Sequence, residues 1–284
     1  MSKYTQTPNR QPLQLHYFKM KVYDRAKYIP TLNEAKNLPF VLPRIPKWVN
    51  EVILVDGNST DDTIAVAQRL LPNIHIVRQS DCCKGAALRQ GFDAATGDII
   101  VMLDADSSTD PAEMGMFVRF LRNGADFVKG SRFMQGAGST DISRVRGLGN
   151  WGLTVLVRLL FGGAFSDLCY GYIAFWKRLL PLLHLDADGF EIETLMSVRA
   201  LRARLKIVEV PSFEAPRRHG ESHLKAIPDG FRVLRTILQE RFFPSVDVRA
   251  CDDCPHANVC TCRHVPVREF VPLAELHSIR NENQ

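Results

Sequence analysis

"KGAALRQGFDAATGDIIVMLDADSS", Lys84 to Ser108, is the stretch whose reading decides the fold. Its first half carries apolar side chains at helical spacing, and Gly97 stops that pattern. The apolar residues Ile99 to Leu103 then follow without interruption, as in a strand buried on both faces. Two carboxylates, Asp104 and Asp106, close the strand abruptly.

The same alternation continues on both sides. "EVILVDGNSTDDTIAVAQRLL" reads as a strand from Glu51 to Val55, a turn at Asp56 to Asn58, and a helix. Ser59 or Thr60 would cap that helix, with Asp61 and Asp62 in its first turn. "NIHIVRQ" is a short strand, "PAEMGMFVRFLRNG" a helix from Pro111 to Gly124, and "ADFVKGSR" a further strand. Alternating strands and helices predict an α/β domain with a mostly parallel sheet flanked by helices. Ligands in such sheets bind beyond the carboxyl ends of the strands, where Asp56, Asp104 and Asp106 all lie.

Beyond Gly136 the pattern is less regular. "WGLTVLVRLLFG" from Trp151 is helical and unusually apolar, and fits either a core helix or one lying at a membrane surface beside Arg144, Arg146 and Arg158. Helices are also expected in "GFEIETLMSVRALRARL" and "IPDGFRVLRTILQERFF", with a short strand in "KIVEVPSFEAP" between them. Residues 1–20 read as a flexible segment, 21–243 as the catalytic domain and 244–284 as a Cys-rich extension. The net charge of +5 over 284 residues is too small to argue nucleic-acid binding, and no DNA- or RNA-binding motif is present. No apolar run reaches the ~18 residues of a membrane span, and no secretory signal is present. A cytoplasmic protein, peripheral at the inner face of the membrane, is expected.

Two carboxylates at the end of a buried strand suit a hard divalent cation, Mg²⁺ or Mn²⁺, which takes one or two protein carboxylates and completes its shell with diphosphate oxygens. The alternative is a solvated turn whose aspartates cap the next helix.

The wider set of motifs carries a resemblance. "IPTLNEAKNL", "VDGNSTDDT", "KGAALRQGFDAATGDIIVMLDAD", "DLCYGYIAF", "GFEIE" and "RRHGESHLKAIPDGFRVL" occur in one order over residues 28–242. Together they resemble family 2 glycosyltransferases of the GT-A fold, and within these the dolichyl- or polyprenyl-phosphate sugar synthases. The resemblance implies an inverting, metal-dependent hexosyltransferase that uses a UDP- or GDP-linked sugar and a lipid-phosphate acceptor. It implies that Pro30, Thr31, Asn33, Glu34, Asp56, Lys84, Gly85 and Asp104 bind the nucleotide. Asp104, Asp106 and Glu191 would hold the metal, and Arg132 would contact phosphate. Arg144, Arg146, Arg217, Ser222 and His223 would hold the phosphates of donor and acceptor. Asp106, Arg132 and Glu193 would be the catalytic set. With a soluble hydroxyl acceptor, Glu193 or Asp167 would be the general base; a non-catalytic nucleotide-binding scaffold is a third reading.

There are departures from the family pattern. "KVYDRAKYIP" is more charged than a central strand should be, and "VDGNS" carries one acid where relatives often have two. His223 stands where a lysine is commoner, which makes the local charge pH-sensitive. In the extension, Cys251, Cys254, Cys260 and Cys262 suit Zn²⁺ or an iron–sulfur ligand set by residue type, although their spacing is tight. The other cysteines read as small buried apolar residues.

Overall fold

The computed structural model describes residues 25–80, 83–222 and 224–245. The elements run β1 (Arg25–Thr31), α1 (Leu38–Val41), β2 (Glu51–Asp56), α2 (Thr63–Leu70), β3 (His75–Arg78), α3 (Lys84–Ala94) and β4 (Ile99–Met102). They continue with α4 (Met114–Arg122), β5 (Phe127–Ser131), β6 (Gly138–Ser139), α5 (Arg144–Phe161), β7 (Ile173–Trp176) and α6 (Leu180–Leu183). The last are α7 (Ile192–Arg202), β8 (Ile207–Pro211), β9 (Phe213–Glu214) and α8 (Ala226–Phe242).

Seven strands form one sheet in the order β3-β2-β1-β4-β7-β5-β8, and β6 pairs with β9 in a separate ribbon. The strand alternation of β2 explains the layering. Ile53 and Val55 join the core cluster that includes Ala87, Leu88 and Phe92 of α3. Val52 and Leu54 join the one that includes Leu38 of α1 and Val66 and Ala67 of α2. Each fully buried Val, Leu, Ile or Phe among them contributes about 1.5–3 kcal/mol of hydrophobic stabilisation. β1 lies between β2 and β4, parallel to both, despite its charged start.

The cap reading changes, and one strand is new. α2 begins at Thr63 rather than at a Ser59 or Thr60 cap, and Asp61 Oδ1 accepts from the Thr63 amide at 3.0 Å. Ser59 and Thr60 instead bond to Asn33: the Asn33 amide donates to Ser59 Oγ at 2.9 Å, and Asn33 Oδ1 accepts from the Thr60 amide at 2.8 Å. β7, inside the motif "DLCYGYIAF", is antiparallel to both β4 and β5. Its entry therefore reaches the carboxyl ends of those two strands.

α5 starts at Arg144, where Ser143 Oγ accepts from the Arg146 amide at 3.3 Å. It turns polar Asn150 and Thr154 inward. Their side-chain oxygens accept from the amides of Cys169 and Leu168, at 2.9 and 3.3 Å. Val157 is buried too, but Leu148 and Trp151 are 69% and 64% exposed. The apolar helix is thus only partly a core helix. Among the described residues no helix is long and apolar enough to cross a membrane.

Candidate active site

The carboxyl ends of β1, β2, β3 and β4 open onto one cavity of about 860 Å³. Its wall gathers Pro30, Thr31, Glu34, Lys84, Asp104, Asp106, Arg132, Arg146, Glu193, Arg217 and Ser222 from the expected set. These residues come from distant parts of the chain, and strand order brings them to one rim.

Ion pairing organises the wall. Lys84 Nζ lies 2.8 Å from Asp104 Oδ1 and 2.7 Å from Glu193 Oε1. Burial by itself would lower the Lys84 pKa, but the two carboxylates outweigh it and hold the ammonium well above its usual value. Arg217 donates to Glu34 Oε1 at 2.9 Å, and its other terminal nitrogen stands 3.4 Å from Asp106 Oδ2. Burial raises the Glu34 pKa, and the bonds from Asn37 and Arg217 only partly offset that. Asp141 pairs with Arg146 at 3.5 Å, and Glu214 with Arg132 at 3.1 Å. Every acidic side chain in the cavity wall therefore has a basic partner.

The strand ends at Met102, so Asp104 and Asp106 sit in the turn beyond it. Asp106 Oδ1 accepts from the Ser108 amide at 3.0 Å, the turn-capping role that any Asp could play. Its other oxygen faces Arg217. Among the described residues, no three His, Cys, Asp or Glu side chains form a metal-binding group. Glu191 does not line the cavity: its Oε1 accepts from the Gly189 amide at 3.0 Å, and its Oε2 is buried without a hydrogen-bond partner. The donor set fits a divalent ion bound by two hard carboxylates and shared with a diphosphate, not a preformed three-acid centre.

Other expected residues take different places. Arg132 is buried, with Nε and Nη2 donating to Asp167 at 2.7 and 2.9 Å and Nη1 donating to Glu214. Its guanidinium also lies 4.8 Å from the Tyr170 ring centre. Arg132 lines the cavity from within this carboxylate clamp. Asp167, the alternative base, is fully buried in the same clamp. The amide of Gly85, a residue expected at the nucleotide, donates to Asp188 O at 2.6 Å. A Cβ on Gly85 would lie 2.2 Å from Ala187 O, so glycine there permits a close backbone crossing. Asn33 staples two loops, and Arg144 is exposed; neither lines the cavity. Asp56 is buried behind the wall, with Oδ2 accepting from the Ser59 amide at 3.1 Å and Oδ1 unpartnered. His223 and the four cysteines of the extension lie outside the described residues.

One wall residue and one buried residue bonded to the wall escaped the sequence reading. Gly171, at the entry to β7, has no room for a side chain: a Cβ would stand 2.6 Å from Glu193 Oε1 and 3.1 Å from Asp104 Oδ2. Lys129 is fully buried in β5, and its ammonium donates to Tyr170 O, the carbonyl just before Gly171. Burial pushes the Lys129 pKa down. A lysine directly after Phe127 and Val128 in a buried strand was the readable signal for it. Cys83, read as buried, is exposed and lines the cavity, whereas burial pushes the Cys169 thiol up to about 12.

The sequence pattern of "Glycosyl transferase family 2" matches residues 28–181. The chain belongs to this family. Its fold is the GT-A-like α/β fold, and the enzyme class that goes with the family is the nucleotide-sugar-dependent glycosyltransferases. The chain is 33% identical over 207 residues to glycosyltransferase AglJ of Haloferax volcanii, a match covering 71% of this chain and 66% of AglJ. It is 31% identical over 206 residues to a dolichol-phosphate mannosyltransferase of Pyrococcus furiosus, covering 69% of this chain and 58% of that protein. The chain thus spans about three fifths to two thirds of the length of these relatives. Among solved structures, glucosyl-3-phosphoglycerate synthase of Mycobacterium tuberculosis, in complex with Mn²⁺, UDP and glucosyl-3-phosphoglycerate, superposes with a TM-score of 0.62. Identity is 24%, covering 77% of this chain and 80% of that one, and the likeness is one of fold.

Proposed function

We propose that this family 2 protein is an inverting, divalent-metal-dependent glycosyltransferase that moves a sugar from a nucleotide diphosphate to a polyprenyl phosphate. The observation that carries the acceptor class is the complete ion pairing of the cavity wall. A hydroxyl acceptor needs a base to take its proton. Glu193 is committed to Lys84 and Asp167 to Arg132, so neither is poised for that work. A phosphate acceptor is already ionised near neutral pH and needs only positioning. The name of the Pyrococcus furiosus relative points the same way.

In this reading an acceptor phosphate oxygen attacks the anomeric carbon from the face opposite the diphosphate. The bond from that carbon to the diphosphate oxygen breaks, the nucleoside diphosphate leaves, and the configuration inverts. Asp106 with Asp104 would hold Mg²⁺ or Mn²⁺, which offsets negative charge on the leaving diphosphate. Arg217, Arg146 and Arg232 line the cavity and would bind phosphates, while Lys84 keeps Asp104 and Glu193 in place. Thr31, Glu34 and the wall around Gly57 would receive the nucleoside. Peripheral membrane contact fits the exposed Val145, Leu148 and Trp151 of α5 and the exposed Ile227 and Phe231 of α8. Arg146 and Arg232 on the same two helices face the cavity.

The test is transfer from UDP- and GDP-linked sugars, with Mn²⁺, to a polyprenyl phosphate in anionic vesicles. The expected product is a lipid-linked sugar of inverted configuration, lost about 100-fold or more in Asp106→Asn. Transfer only to a soluble hydroxyl acceptor would overturn the acceptor class.

A further inference from the structure

We propose that Arg217 is a displaceable counter-ion: it occupies Asp106 until a diphosphate draws it away, and so makes the divalent ion and the nucleotide bind cooperatively. This inference rests on the reading of the cavity as a donor site.

The ion pairs of the wall are unequal. Lys84 grips Asp104 and Glu193 at 2.8 and 2.7 Å, and Arg132 grips Asp167 at 2.7 Å; both cations are nearly buried. Arg217 divides its fork. One terminal nitrogen serves Glu34 at 2.9 Å, and the other reaches Asp106 at only 3.4 Å. The side chains of Arg217 and Asp106 are each 19% exposed toward the cavity. Asp106 is therefore the member of the carboxylate pair with the loosest protein cation.

The segment bearing Arg217 is anchored on both sides. The Ala215 amide donates to Ser108 O at 2.8 Å, Asn37 Nδ2 donates to His219 O at 3.0 Å, and Arg218 stacks 4.5 Å from the Phe40 ring centre. Release of Asp106 thus needs rotation of one side chain, not opening of a loop. A diphosphate entering the cavity offers the guanidinium paired anionic oxygens, which it prefers to a single distant carboxylate oxygen. Once Arg217 turns to phosphate, Asp106 Oδ2 is open to a divalent ion. Without diphosphate, the ion must compete with Arg217 for the same oxygen. Arg217 then has opposite effects on two ligands: it opposes the ion alone and favours the nucleotide, a pattern a merely structural arginine lacks.

The experiment measures Mn²⁺ binding from the spin-resonance signal of the free ion, using the full chain. Wild type, Arg217→Met, Arg217→Lys and Arg217→Met with Asp106→Asn are each titrated alone and with UDP or GDP. Wild type is expected to bind Mn²⁺ weakly alone and about ten-fold or more tightly with one of the nucleotides. Arg217→Met is expected to bind Mn²⁺ alone about five-fold more tightly than wild type, with the nucleotide enhancement shrunk to about two-fold. Adding Asp106→Asn should erase that gain. Arg217→Lys cannot bridge both acids and should fall between, which preserves the comparison if the methionine variant does not fold. Mn²⁺ binding to nucleotide-free Arg217→Met or Arg217→Lys no tighter than wild type, while wild type still responds to nucleotide, overturns the proposal alone. No nucleotide response in wild type removes the donor-site reading and the proposal with it.

Discussion

Arg132 and Arg199 are both buried and both gripped by carboxylates, yet only Arg132 faces the cavity. Arg132 follows the carboxyl end of β5 and binds Asp167 and Glu214, which arrive from the entry to β7 and from β9. Arg199 lies in the last turn of α7 and binds Glu240 of α8 at 2.7 Å, Asp186 at 3.0 Å and Leu183 O at 3.3 Å. In each, burial by itself would lower the pKa, and the carboxylates more than offset it. The two clusters are alike as electrostatics and different in position. Buried charge alone does not mark a functional site in this molecule. Charge at the carboxyl ends of the strands marks the proposed one, because there the sheet leaves its loops uncovered.

Removing either arginine gives the largest expected effect and tests that contrast. Arg199→Met and Arg132→Met should each cost about 3–5 kcal/mol by leaving carboxylates buried without a partner. A melting-temperature fall of about 10 °C would follow in calorimetry. Below both transitions, sugar transfer per folded molecule should stay within about two-fold of wild type for Arg199→Met. For Arg132→Met it should fall about 100-fold, because the clamp positions the entry to β7 against Asp104 and Glu193. Equal activity losses in the two would break the contrast.

A smaller effect sharpens the same point with glycines. Gly171→Ala presses a Cβ against Glu193 and Asp104, and Lys84 holds both against yielding. We expect about ten-fold slower transfer and a small loss of stability. Gly115→Ala, in α4 with nothing within 4 Å of the new carbon, should raise the melting temperature by about 1–3 °C and leave transfer unchanged.

The smallest effect concerns pH. Glu113 accepts from the hydroxyl of Ser212, which is bonded to the Tyr170 hydroxyl behind the Arg132 clamp. Burial lifts its pKa, and the bonds from Ser212 and Phe213 only partly counter that. Its folded value thus lies above its unfolded one. The stability it adds is fully present below the ordinary carboxylate range and disappears as the pH rises through the raised value. As the pH rises from about 4.5, wild type should lose more melting temperature than Glu113→Gln. Parallel melting curves for the two proteins would contradict the burial of that charge.

Much of this is legible in the sequence. Ile99 to Leu103 running into Asp104, and Glu51 to Val55 running into Asp56, mark strand ends, because a buried strand tolerates acids only where it leaves the core. The motifs around Pro30, Lys84 and Arg217 were recognisable as short strings, and the cavity wall collects residues from each. Glu191 lies off the cavity wall and Arg132 sits in a clamp within it, for one reason. A motif gives the residue type but not the partner, and each side chain found a nearer one, Gly189 in one case and Asp167 in the other.

The sequence by itself determined where helices and strands alternate and which strand ends turn acidic. Those properties follow from hydrophobic periodicity and backbone dihedral preference over a few residues. Only the tertiary structure decided that β7 enters antiparallel between β4 and β5, that Gly171 must stay bare, that α5 turns Leu148 and Trp151 outward, and that Arg217 stands on Asp106. Those outcomes depend on which desolvated charges and surfaces meet after distant segments close on one another, and no local pattern encodes a partner nearly two hundred residues away, as Arg217 is from Glu34.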